Sequence, residues 1–212
     1  MLHLDPFVKH AEEYDQWFDR HAAVYESELQ AVKLQMLKLP ENIHGIEIGM
    51  GTGRFSADLC IKEGIEPVAA MARMAVKRGV EVMTGTAERL PYRDLHFDFV
   101  LFVTICHLDN VQAAFKETYR VLKRGGSIIV GFLDRDQTIA QAYDNRRDHS
   151  EFYRHATFYP VNRVETLLKE AGFTKLEYMQ TLFGKLEDIT KLQTPEEGFG
   201  KGSFVVVKAI KK

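Results

Sequence analysis

The sequence predicts an α/β protein built on a mostly parallel, doubly wound sheet, and three observations predict it. Between residues 43 and 133, short apolar runs alternate with amphipathic helical segments, the rhythm of right-handed βαβ crossovers. Residues 97–103 are almost wholly apolar, as a strand covered on both faces should be. Two late strand-like runs, 173–181 and 203–210, have no certain helix of crossover length between them, so they read as an antiparallel pair.

From Pro6 to about Leu39 apolar and aromatic residues (Phe7, Tyr14, Trp17, Phe18, Leu29, Val32, Leu34, Met36, Leu37) recur at mixed spacings of three and four, with no proline or glycine before Pro40. That pattern predicts an amphipathic helix pair covering one face of the sheet. Residues 43–48 read as the first strand, and 53–63 as a helix with Phe55, Leu59 and Cys60 inward. A brief strand at 64–67, a helix at 68–78 and an alternating strand at 80–84 follow, then the fourth strand at 97–103. Residues 111–123 are helical, with Asp109 or Asn110 as cap and Arg124-Gly125-Gly126 as stop; 127–133 is the fifth strand. A polar-aromatic insert at 134–160 carries Tyr143, Phe152, Tyr153, Phe158 and Tyr159. Residues 161–171 form a helix closed by Gly172.

Composition narrows the class. A chain of 212 residues, 45% apolar and 27% charged, is expected to be one soluble domain. A net charge of −2 without a basic cluster argues against a duplex nucleic-acid partner. Two cysteines, Cys60 and Cys106, write neither a disulfide framework nor a thiolate metal site. No apolar run approaches the roughly 18 residues a membrane span needs, and the acidic start (Asp5, Glu12, Glu13, Asp15) is unlike a signal peptide. A cytoplasmic protein without a membrane partner is the expectation. The sequence gives no oligomeric state.

The most informative stretch is Glu47-Ile48-Gly49-Met50-Gly51-Thr52-Gly53-Arg54. Glycines after a buried strand let a ligand approach bare backbone N–H groups. A dinucleotide fingerprint would need glycine at position 54, where Arg54 stands. Glu66 lies 19 residues past Glu47, about where a ribose-binding acid belongs in a nucleoside-binding βαβ unit. Gly85-Thr86-Ala87-Glu88 follows the third strand, and Thr104, Cys106 and His107 follow the fourth. Ligands of open α/β sheets bind at these carboxyl ends.

Over residues 43–133 these features resemble the class I S-adenosylmethionine-dependent methyltransferases. Glu47, Gly49, Gly51 and Gly53 are similar to the family's first motif, Glu66 to its ribose acid, and 85–88 to its adenine-side turn. Phe97-Asp98-Phe99-Val100 and Val121-Leu122-Lys123-Arg124-Gly125-Gly126 resemble its later signatures. The resemblance implies a Rossmann-like sheet of seven strands, five parallel and closed by an antiparallel hairpin, with helices on both faces. It implies S-adenosylmethionine as cofactor, held by Tyr14, Glu47, Gly49, Gly51, Gly53, Glu66, Pro67, Met71, Thr86, Ala87, Glu88 and Thr104. Residues 1–40 would be a lid, 41–133 the cofactor core, 134–160 a substrate-side insert and 161–212 the closing helix and strands. Two departures stand out: Thr86 replaces a common aspartate, leaving adenine to the Ala87 N–H and to packing by Pro67 or Met71, and Arg124 replaces a proline.

Asp98 is expected to be structural, at the strand end away from the ligand, and Cys106 a packing residue. His107 is the best-placed candidate base by chain position; its plainer reading is a locally bonded histidine. Tyr14, Trp17, Tyr143 and Tyr153 are candidates to line an acceptor pocket. Arg146, Arg147 and Arg154 are offset by Asp144, Asp148 and Glu151, so no anionic substrate is inferred. A small-molecule methyl acceptor is the leading expectation. An RNA or protein acceptor, and a binder of S-adenosylmethionine or S-adenosylhomocysteine without turnover, stand as alternatives.

Overall fold

The structure, a computed structural model, describes residues 4–212. Helices α1 (Asp5–Lys9), α2 (Ala11–Arg20) and α3 (Ala22–Met36) open the chain. Strand β1 (Gly45–Ile48) passes through the glycine turn into α4 (Arg54–Asp58). Then come β2 (Glu63–Ile65), α5 (Ala69–Lys77) and β3 (Glu81–Met83). The second half is β4 (Phe97–Val103), α6 (Val111–Val121) and β5 (Leu122–Leu133). Helices α7 (Thr138–Asn145) and α8 (Val161–Glu170) precede β6 (Phe173–Thr181), β7 (Glu196–Glu197) and β8 (Phe204–Lys211).

The strands form one sheet in the order β3-β2-β1-β4-β5-β8-β6-β7. Pairing is parallel from β3 to β5 and antiparallel beyond it. The expected parallel sheet with a closing antiparallel pair is therefore present, with eight strands where seven were expected. The addition is β7, two residues of the long 182–203 connection that fold back beside Met179 and Gln180.

Alternation along the central strands builds the two faces. Phe97, Val100 and Phe102 of β4, Ile128 and Val130 of β5, and Val205 and Val207 of β8 point to one side, where α6 and α8 cover them. Phe99 and Leu101, Ile129, and Phe204 and Val206 point to the other, under α3, α4 and α7. Residues buried on both sides explain the unbroken apolar runs.

Three local expectations are corrected. The opening segment is three helices, because the backbone leaves helical geometry at His10 (φ −123°) and His21 (φ −121°). These bends carry the chain from α1, packed on α5 through Phe7, Val68 and Met71, to α3 on the opposite side of the crevice. Helix α4 ends at Asp58, since Cys60 adopts φ 57° and Ile61 N–H bonds back to the Ser56 carbonyl; Cys60 is exposed and Leu59 half-buried. Helix α6 stops at Val121, where Leu122 turns extended (ψ 140°) and starts β5 before the glycine pair. Its cap is Asn110, whose Oδ1 accepts from Ala113 N–H at 3.0 Å. Asp98 sits at the strand's entrance, accepting from His44 N–H (2.9 Å) and pairing with Lys123 (2.9 Å). No helix among the described residues is long and apolar enough to cross a membrane.

Candidate active site

Strand order reverses between β1 and β4, and a crevice opens at their carboxyl ends, as open α/β sheets require. Two chambers occupy it. The first is walled by Gly49, Met50, Gly51 and Thr52 of the glycine turn, by Tyr14, Trp17 and Phe18 of α2, by Val24 and Glu28 of α3, and by Tyr143 and Tyr153. The second is walled by Glu66, Pro67, Met71, Thr86, Ala87 and Glu88, with Leu4 and Phe7 above. Tyr14, Gly49, Gly51, Val103, Thr104 and His107 belong to both walls, so the chambers meet there.

The glycine turn is built by left-handed backbone: φ is 69° at Gly49, 56° at Gly51 and 78° at Gly53. A Cβ at Gly49 would meet nothing within 4 Å, because that face opens on the chambers. Gly53 serves packing instead. A Cβ there would lie 2.7 Å from Ala75 Cβ and 2.9 Å from Ala75 Cα, so this glycine lets α5 approach the turn.

The acids take distinct places. Glu66 accepts from Gly51 N–H and Val68 N–H, each at 2.8 Å, which ties the turn to the end of β2. Burial raises its pKa against those two bonds, and a carboxylate so bonded keeps lone pairs for two further donors. Glu47 is fully buried one layer behind the turn, accepting from Ser56 Oγ at 2.5 Å, and is not on either wall. Burial lifts its pKa to about 8 against the Ser56 bond. Glu88 accepts from Asn110 N–H at 3.1 Å.

His107 lies between the rings of Phe7 (centroids 4.9 Å) and Tyr153 (5.8 Å). Burial lowers its pKa to about 4, so the imidazole is neutral near pH 7. Cys106 is buried against Thr104 Oγ1 at 3.3 Å, and burial pushes its thiol up to about 11, which leaves a protonated, unreactive group.

Two features escaped the sequence reading. Asp15 of α2 accepts from Thr52 Oγ1 (2.6 Å), from Arg54 through Nε and Nη2 (2.8 Å each), and from Arg78 Nη2 at 3.0 and 2.8 Å. This clasp fastens the helical roof to the glycine turn and to α5. Burial opposes ionisation of Asp15, yet the bonds from Arg54, Thr52 and Arg78 hold its pKa down to about 2. Glu28 is the second feature: it is 8% exposed and on the wall of the first chamber. Burial alone raises its pKa to about 8.

Comparison with known proteins agrees with this arrangement. The methyltransferase domain family matches residues 46–130, from β1 to within β5. A crystallised protein of Thermotoga maritima, named a SAM-dependent methyltransferase and possible histamine N-methyltransferase, is 44% identical. It superposes with a TM-score of 0.93, over 98% of this chain and 99% of that one. An uncharacterized protein of Methanocaldococcus jannaschii is 40% identical over 98% of this chain and all of its own. A ubiquinone/menaquinone biosynthesis C-methyltransferase of Sinorhizobium fredii is 28% identical over 59% of this chain and 56% of its own length. With this sheet order, this glycine turn and near full-length similarity to a methyltransferase, the chain belongs to the class I S-adenosylmethionine-dependent methyltransferases.

Proposed function

We propose that the protein transfers the methyl group of S-adenosylmethionine to a small-molecule acceptor. The observation that carries this reading is the first chamber, a cavity of about 270 Å³ beside the glycine turn, walled by aromatic rings from α2 and the 134–160 insert. Concave, mostly apolar clefts with a few polar groups suit small ligands. The T. maritima and S. fredii relatives, whose names give histamine N-methylation and quinone-biosynthesis C-methylation, also suggest small acceptors.

The second chamber suits the nucleoside. Glu66 has lone pairs left for both ribose hydroxyls, while Pro67, Met71, Thr86 and Ala87 line the space for the base. Gly49 and Gly51, without side chains, admit the methionine end, and Glu47 supports the turn from behind. The bound cofactor supplies an electrophilic methyl carbon on a sulfonium, whose departure needs no proton. The residues' task is then alignment and exclusion of water. Thr104 and His107, shared by both walls, stand where the chambers meet.

The test is labelled-methyl transfer from S-adenosylmethionine into a whole metabolite and macromolecule extract. Label in the small-molecule fraction is expected. Label confined to RNA or protein would overturn the acceptor class, and tight cofactor binding with no label at all would overturn turnover.

A further inference from the structure

We propose that Glu28 is the acceptor-binding carboxylate of the first chamber, and that the acceptor it receives is a small amine that arrives as an ammonium ion. This deepens the proposed small-molecule methyl transfer and rests on it.

Glu28 of α3 lies on the chamber wall, which Val24, Leu182, Leu186, Ile139 and Tyr143 also line. It is more than nine-tenths buried, and it makes no ion pair or hydrogen bond among the described residues. Every other strongly buried acid of the crevice is engaged: Glu47 by Ser56, Glu66 by Gly51 and Val68, Asp15 by Thr52 and two arginines. Ionising a carboxyl that burial holds protonated, with its pKa raised to about 8, is costly without a partner, so Glu28 is a group that a cation entering the cavity would bring into its charged form. The remaining charges on the wall cannot supply that partner. Arg54 is bound by Asp15 and Asp19, and Arg20 is exposed to solvent.

The surroundings favour a cation over a neutral donor. Trp17, stacked on His21 (4.4 Å), lies on the same wall, as do Tyr143 and Tyr153, whose rings stack on each other at 4.2 Å. Aromatic faces attract ammonium groups. Burial raises the pKa of both tyrosines, so their hydroxyls stay neutral and add no competing negative charge. Methyl transfer also brings the acceptor toward a sulfonium, and two cations in one cavity repel strongly unless a carboxylate stands beside them.

The same carboxylate solves the proton problem. An ammonium has no lone pair for attack; passing one N–H proton to Glu28 leaves a neutral amine and a neutral carboxyl (R–NH3+ and –COO− become R–NH2 and –COOH). Glu28 returns that proton to solvent when the product leaves. His107, whose pKa burial lowers to about 4, is the weaker proton acceptor of the two.

The experiment uses the full chain saturated with S-adenosylhomocysteine, titrated with a panel of small aryl- and alkylamines and with the alcohol of each skeleton. Calorimetry and Trp17 fluorescence report binding. At least one amine is expected to bind the wild type roughly tenfold or more tightly than its alcohol. In Glu28→Gln that preference should vanish, with affinity for the alcohol and for S-adenosylhomocysteine unchanged. Unchanged S-adenosylhomocysteine affinity shows that the variant is folded. Glu28→Asp, which keeps the charge but withdraws it, should retain a reduced preference and serves if the glutamine variant fails to fold. Saturable binding of no amine, equal binding of amine and alcohol, or a preference that survives Glu28→Gln each overturns the proposal. Failure of S-adenosylhomocysteine itself to bind would instead refute the underlying methyltransferase reading.

Discussion

At Glu47 the fold keeps a fully buried acid bonded, among the described residues, to Ser56 alone, and this leaves a mark on stability. Its pKa rises from the ordinary 4.5 to about 8 in the folded chain. Between those values the native state holds a proton that the unfolded chain has released, so stability falls as pH rises through this window. Glu28 acts with the same sign over the same window. Glu47→Gln keeps an oxygen for the Ser56 hydroxyl but cannot titrate. Its melting temperature should therefore decline less than the wild type's between about pH 5 and about pH 8, by several degrees at roughly 2 to 4 °C per kcal/mol. An unchanged decline would show that Glu47 is ionised when buried. His107 makes the opposite prediction. With its pKa near 4 it is neutral across the working range, so His107→Gln should preserve the shape of the kcat profile from about pH 6 to about pH 9. Loss of an acidic limb near the ordinary histidine value in that variant would restore it as the base. The glycines, Glu66 and His107 were visible in the sequence because each directly follows a strand. Glu28 was not, since it stands among Glu26, Ser27 and Gln30 and reads as part of a solvated helix face.

The element that most depends on distant partners is α2. Asp15 is 39 residues from Arg54 and 63 from Arg78, so no local spacing could announce their meeting. The breaks at His10 and His21 were equally silent, because turn residues such as proline or glycine are absent and packing on two different neighbours bends the chain. By contrast β4 ran where its apolar residues begin and end, since burial on both faces leaves Asp98, at its entrance, as its one polar position. The clasp itself is testable. Asp15→Asn keeps the shape while leaving the Arg78 guanidinium (side-chain exposure 27%) without its counter-ion and Arg54 (16%) with Asp19 as its remaining carboxylate. A loss of about 2 to 3 kcal/mol is expected, together with weaker binding of S-adenosylhomocysteine, because the amide's one acceptor oxygen cannot serve Thr52 of the glycine turn and both guanidiniums as the carboxylate does. Adding Arg78→Met should recover part of the stability, as coupled pairs do in double-mutant cycles. Full additivity of the two substitutions would mean that the clasp is not energetically linked. Because Asp15 has a pKa near 2 when folded, this contribution is present above about pH 4 and lost as pH falls toward 2.

On the scale of the whole molecule, the sheet and its roof differ in how they are held. Strands β4, β5 and β8 are buried on both faces and hydrogen-bonded on both edges. The roof of α1 and α2 rests on a small cluster (Phe7, Ala11, Val68, Met71), on the half-buried rings of Trp17 and Phe18 against the larger core, and on the clasp. Its sequence told that a helical cover exists but not that it spans two chambers, because the second wall is assembled from the ends of β1, β2, β3 and β4, far along the chain. A ligand filling both chambers would touch the roof and the sheet ends together, so its binding energy should appear first as slower opening of the roof. Amide hydrogen exchange can separate the two layers. In the free protein the amides of α2 should exchange much faster than those of β4 and β5. S-adenosylhomocysteine at about one hundred times its dissociation constant should add about 2.7 kcal/mol of global stability. It should slow exchange in α1, α2 and the glycine turn by up to that same increment, because those segments open locally and opening them gives up the ligand. The central strands, which exchange only on global unfolding, should slow by no more than that global increment. Equal protection of α2 with and without ligand, alongside a raised melting temperature, would mean that the roof is already closed in the free protein and that entry takes another route.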